Sequence, residues 1–204
     1  MILVLTLLSL APFLLVMVTS FTRIIVVLHF VRSALGTQTS PPNQVLIGIA
    51  LFLTLFIMAP VMTQINKDCI QPYDKGKLTQ EEALNAGLKP IRKFMFEQTN
   101  RKDIRLFMEI EKQSNDVSIE KEDEIPTLVL IPAFMISELR IAFIIGFLIY
   151  LPFIVIDMVV ASTLMSMGMM MLPPTTISMP FKILLFVLAD GWNLVIGQLV
   201  KTFY

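Results

Sequence analysis

The chain has 204 residues, 55% of them hydrophobic and only 16% charged, with a mean hydropathy of +0.76. Soluble domains are about 45–50% apolar and about 25% charged, so an ordinary soluble domain is excluded. Sixteen basic residues balance sixteen acidic ones, which leaves no basic face for nucleic acid, and Cys69 is the only cysteine, which excludes an intrachain disulfide.

The apolar excess is gathered into long runs, since residues 1–22, 33–66 and 158–181 carry no charge. Runs of about 18 apolar residues mark membrane-length helices. The composition therefore predicts an all-α membrane protein, or a subunit of a membrane-embedded assembly. The opening MILVLTLLSLAPFLLVMVTSFTR lacks a basic leader and an A-x-A-like cleavage site, so it is read as a helix of the mature protein.

Residues 1–62 form a first helical hairpin, with apolar segments at 3–31 and 45–62 joined by SALGTQTSPPNQ. Gly36, Pro41 and Pro42 make that joint a turn. Residues 63–124 form a polar insert that holds 24 of the 32 charged side chains. Thr79 and Glu82 have the spacing of a capping box, with Gly87 as the expected stop. Pro90 would open a second helix carrying Ile91, Phe94 and Met95 on one face. Asn100 would cap a third, with Ile104, Phe107, Met108 and Glu111 at helical spacing, before SNDVSIEKEDE loses its periodicity as a solvated linker.

Residues 125–204 return to apolar segments, a second hairpin region broken by Pro126, Pro132, Pro152, Pro173, Pro174 and Pro180. A single helix over 125–168 would extend about 66 Å at about 1.5 Å per residue, against a hydrocarbon core of about 30 Å. The segment must therefore break, near Pro152, or rise beyond the bilayer. Four spans put the insert and both termini on one side. Arg32 and Lys182 flank the two short turns, favouring a cytoplasmic place for the turns and a periplasmic one for the insert.

Five charges, Glu138, Arg140, Asp157, Lys182 and Asp190, stand inside these apolar segments. Each would cost roughly 2.5–3.5 kcal/mol at the centre of a lipid-exposed helix. Either they snorkel at helix ends or they pair across packed helices. Glu138 and Arg140 are two apart and need separate partners. A turn near Pro173 puts Asp157 level with Lys182, while an intersubunit partner for Lys182, such as Glu138, stays open. The lone histidine, His29, reads as a packing or interface residue. The chain contains no zinc-protease helix, C-x-x-C or P-loop pattern, so neither an enzyme nor a cofactor or metal requirement is expected.

The stretch MSMGMMMLPP, residues 165–174, gathers Met165, Met167, Met169, Met170 and Met171 around Gly168, and Pro173 and Pro174 close it. Methionine fills irregular core gaps, and its thioether is a soft ligand for Cu(I) in a transporter. Alternatively, unbranched side chains around a shared axis would form a deformable gasket, closing a pore hydrophobically and re-packing around a passing chain. The last reading demands several copies.

Four stretches resemble the FliP family: SFTRIIVVLHFVRSALGTQTSPPNQVLIGIALFLTLFIMAP (20–60), IPAFMISELRIAFIIGF (131–147), IDMVVASTLMSMGMMMLPP (156–174) and PFKILLFVLADGW (180–192). The resemblance implies helical hairpins in a multi-subunit export gate of the bacterial inner membrane and flagellar basal body, passing unfolded flagellar proteins. It implies further copies of the chain, in a pentamer, with FliQ, FliR and FlhB as partners beside membrane lipid, and much of the assembly drawn out of the bilayer towards the periplasm. An injectisome counterpart shares the pattern, although the RSALGTQTSPPNQ turn is closer to flagellar members. The gasket role carries over to Met165, Met169, Met170 and Met171, while Met167 stands where leucine is common. The family's acid in S-E-L and lysine in P-F-K fall on Glu138 and Lys182, which favours pairing them between subunits. Arg140 stands where lysine is common. Family members usually begin with a cleaved signal peptide and leader, a pattern this N-terminus lacks.

Overall fold

The computed structural model describes residues 16–111, 125–169 and 171–204. Among them every regular element is helical. The chain divides into two compact units, one drawn from Met1–Thr22 and Thr54–Arg140, the other from Arg23–Leu53 and Ile141–Tyr204.

Helix α1 spans Phe21–Ala34. The expected unbroken run from residue 3 to 31 is interrupted at Thr19 and Ser20, and its part before residue 16 lies outside the described residues. Hydroxyls offer the backbone other partners there: the Phe21 N–H donates to Thr19 Oγ1 at 3.4 Å, and Thr22 Oγ1 donates to the Val16 carbonyl at 2.9 Å. Helix α2, Asn43–Ile65, does not stop at residue 62. It continues through a π-helical turn, Asn66–Ile70, into the short α3, Gln71–Asp74, before Gly76 turns the chain at φ +67°.

In the first unit, α4 runs over Gln80–Gln98 from a capping box made by Thr79 and Glu82. It passes straight through Gly87 and Pro90, where a stop and a new start were expected. Ala83, Pro90, Phe94 and Met95 are buried along one stripe, and Gly87 lies in that stripe because a Cβ there would meet Cys69 Sγ at 3.3 Å. The glycine is a packing notch, and burial of the stripe outweighs the local helix-breaking tendencies. Asn100 caps α5, Arg101–Ile110, by accepting the Lys102 N–H at 3.0 Å, as its spacing predicts.

Glu82 Oε2 accepts the Thr79 backbone N–H at 2.8 Å and the Thr79 hydroxyl at 2.9 Å. These bonds, the backbone one foremost, hold its carboxyl below the usual glutamate range. A depressed folded-state pKa stabilises the cap above the ordinary glutamate pKa, and that contribution is lost as pH falls through the lowered value. Amide exchange at residues 80–83, corrected for intrinsic pH dependence, will therefore accelerate on acidification. Glu82→Gln will flatten this response.

Helix α6 spans Thr127–Ser166, 40 residues without a break at Pro132 or Pro152. At about 1.5 Å per residue it extends about 60 Å, twice a hydrocarbon core of about 30 Å, so of the two expected alternatives the chain takes the long one. Only 11% of its most apolar window is buried within the chain. Helix α7, Pro174–Leu188, follows, and a 65° bend separates it from α8, Gly191–Lys201. Asp190 makes the bend in the left-handed region, at φ 49°, and Phe186 lies where a Cβ on Gly191 would sit. Among the described residues, two helical runs, Asn43–Asp74 and Thr127–Ser166, are long and apolar enough to cross a membrane, or three if α7 and α8 count as one span. Four spans were expected; α1, with 14 described residues, is too short to count.

The second unit is held by Val31, Ala34, Leu35, Phe153 and Phe186, with Ile149, Tyr150, Ile156, Trp192 and Val195 against them. Helix α1 approaches α6 at Gly146, where an added Cβ would lie 2.4 Å from the Phe30 ring. The ring then stands edge-on to Phe143, centroids 5.3 Å apart. The first turn, with Gly36 at φ +76°, is held by Arg32, which donates to Asn43 Oδ1 at 2.5 Å and to the Pro41 carbonyl at 3.4 Å.

Candidate functional site

The methionine stretch forms the tip of the hairpin between α6 and α7. Helix α6 ends in paired capping bonds: the Met169 N–H donates to the Leu164 carbonyl and the Gly168 N–H to the Met165 carbonyl, both at 3.0 Å. This double closure needs a left-handed residue after the helix, and Gly168 supplies it at φ +77°. On the other side Pro173 is the N-cap of α7 and Pro174 its first residue, where a missing N–H costs no helical bond. Both exits are therefore tied.

Met165 in the last turn of α6 and Met167, Met169 and Met171 after it are exposed, Met171 at 98%. Met170 lies outside the described residues. Four thioether side chains thus project from a hairpin tip without joining either core, which disfavours core filling for these positions. Ser162, Thr163 and Ser166 close their hydroxyls onto carbonyls of their own helix.

Lower in the same hairpin, Lys182 is buried and its ammonium donates to Asp157 Oδ2 at 2.6 Å. The Ser178 hydroxyl donates to the other oxygen, Oδ1, at 2.5 Å. One carboxylate thus joins α6 to two turns of α7, using both its oxygens. Within the single chain Lys182 is held by Asp157, the shorter-range of its two expected partners. Asp190 is exposed at the α7–α8 bend and accepts from Asn193 Nδ2 at 3.0 Å.

In the first unit Glu138 is fully buried. Arg140, half-exposed, reaches Asp103 of α5 at 2.5 Å, so the two charges of the S-E-L-R stretch do have separate surroundings. Sequence reasoning missed Asp103, which is buried, and Ser137, whose hydroxyl donates to it at 2.6 Å. It also missed Arg23, buried in the second unit. There Arg23 donates to the Thr202 carbonyl at 3.1 Å and hydroxyl at 3.0 Å and lies 3.8 Å above the Phe203 ring. A lone arginine within an apolar run was the available signal for Arg23. Asp103 sits among other charges in a helix's first turn, where an acid is unremarkable.

A profile of the FliP family matches residues 4–199. The flagellar biosynthetic protein FliP of Bacillus subtilis (strain 168) is 54% identical over 203 residues, covering 100% of this chain and 90% of that protein. FliP of Aquifex aeolicus (strain VF5) is 49% identical over 199 residues, covering 98% of this chain and 83% of the relative. FliP of Pectobacterium carotovorum subsp. carotovorum is 49% identical over 200 residues, covering 98% and 76%. A match of this length and identity, on a helical chain with membrane-length apolar helices, places the protein in the FliP family.

Proposed function

We propose that the chain is a pore-forming core subunit of the flagellar type III export gate, which passes unfolded flagellar proteins across the bacterial inner membrane. Five copies surround an axis, with FliQ, FliR and FlhB as further partners, and the helices extend towards the periplasm. The subunit is not an enzyme and needs no cofactor. The observation that carries the reading is the hairpin tip, where Met165 in the last turn of α6 and Met167, Met169 and Met171 after it stand exposed beside two tied exits. Membership of a family whose relatives bear the name flagellar biosynthetic protein supports the flagellar setting. The exposed apolar length of α6 supports burial against other subunits or lipid, since a single helix of about 60 Å overshoots a bilayer.

In the assembled gate the methionines act as a gasket, and Lys182 meets Glu138 of a neighbouring copy while Asp157 holds it in the single chain. Replacing Met169, Met170 and Met171 together with alanine will raise small-ion leakage through membranes carrying the assembled gate and reduce export. Unchanged leakage and export would show that the loop is not the seal. Stoichiometric copper in the purified protein would favour a transport site instead.

A further inference from the structure

We infer that Asp103 is a positioning residue that fixes the rotation of α6 about its own axis, and so sets which side of α6 is offered to a neighbouring copy. Its side chain is buried and both carboxylate oxygens are committed to α6. Oδ2 accepts the Ser137 hydroxyl at 2.6 Å and Oδ1 accepts Arg140 at 2.5 Å. Ser137 Oγ in turn accepts the Asn100 backbone N–H at 2.9 Å, so the start of α5 is fastened to the same point. Ser137 and Arg140 are three apart on one helix, about 60° apart around its axis and about 4.5 Å apart along it. Two grips at different heights on one face resist rotation in a way one grip does not.

Two other contacts hold the same side. Arg92 of α4 donates to the Ile125 carbonyl at 2.6 Å and to the Thr127 hydroxyl at the head of α6. Phe94 stands edge-on to Phe134, centroids 6.1 Å apart. The side turned away carries exposed Leu128 and Leu139, which lie about 20° apart around the helix axis. The polar insert thus grips one side of α6 and leaves an apolar stripe on the other. The ion pair requires an acid at position 103 and a cation at 140, so Arg140→Lys retains it and Asp103→Asn does not.

The consequence for a neighbouring copy rests on the proposed assembly; the grip itself does not, and two measurements separate them. In the full-length protein, with Cys69 replaced by serine, Ala133→Cys places a thiol on the gripped side, Leu139→Cys on the open side and Ala83→Cys in the core of the insert. Maleimide labelling in detergent then reads the grip in single chains. Asp103→Ala will speed labelling at position 133 by at least about tenfold, the scale for losing a hydrogen bond to a charged group, with position 83 still protected and position 139 fast throughout. Arg140→Lys will keep position 133 protected. No change at 133 in Asp103→Ala, or equal exposure of 133 and 83, overturns the proposal. Should Asp103→Ala not accumulate, Asp103→Asn decides: faster labelling at 133 alone supports the grip, and unchanged labelling refutes it. In membranes, crosslinks between copies through position 139 will weaken when Asp103 is replaced. Unaltered crosslinks beside altered labelling would remove the role towards a neighbour, and no crosslinks in the parent would count against the multi-copy arrangement alone.

Discussion

Asp157→Ala will destabilise the hairpin by about 3–5 kcal/mol, because it strands a buried cation. Lys182 is 3% exposed, and its neighbours in α7 are Ser178 and apolar side chains. Removing both charges, as Asp157→Asn with Lys182→Met, will cost much less, since no unpaired charge remains buried. Thermal unfolding in detergent measures the difference between single and double variants. A single variant as stable as the double one would show that the pair contributes little in the isolated chain. The same residues test the assembly: cysteines at 138 and 182 will crosslink between copies in membranes, whereas crosslinks confined to positions 157 and 182 of one chain would leave Asp157 as the sole partner.

The second large effect lies at Gly146. A methyl group there would stand 2.4 Å from the Phe30 ring, well inside contact distance, so either the ring or α1 must move. Overpacking of this kind costs about 1–3 kcal/mol. Gly146→Ala will lower the unfolding temperature, and the double variant with Phe30→Ala, which removes the ring atoms that the methyl meets, will be destabilised by less than the sum of the two single effects. Equal or additive destabilisation by the two substitutions would mean that the contact does not set the approach of α1 to α6.

Much of the architecture could be read before any coordinates, and the reasons are local. The charge-free run 33–66 located α2, and Gly36 with Pro41-Pro42 and Gly168 with Pro173-Pro174 located both hairpin turns. The capping residues Thr79 and Asn100 were legible because a cap bonds within three residues of itself. Local reading failed where distant packing decided the outcome. Gly87 and Pro90 look like punctuation, yet Cys69 fills the notch that the glycine leaves and the helix continues. Pro152 looks like a breaker, yet α6 continues through it, giving up one backbone hydrogen bond. Of the candidate site, the methionine cluster and the Asp157–Lys182 pair were legible in the sequence as possibilities. The carboxylate gripping Ser137 and Arg140 was not, because its partners lie more than 30 residues away. Arg23 is held by Thr202, 179 residues distant, a separation at which spacing carries no signal.

The tied exits of the methionine loop have a bearing on time. Gly168 and its two capping bonds anchor one end, and Pro173-Pro174 stiffen the other. Exposed side chains change rotamer in about picoseconds to nanoseconds, whereas loops move over about nanoseconds to microseconds. A seal whose compliance resides in thioether side chains would reshape around each passing residue on the faster scale. It would also close again behind the last one without waiting for the loop to refold.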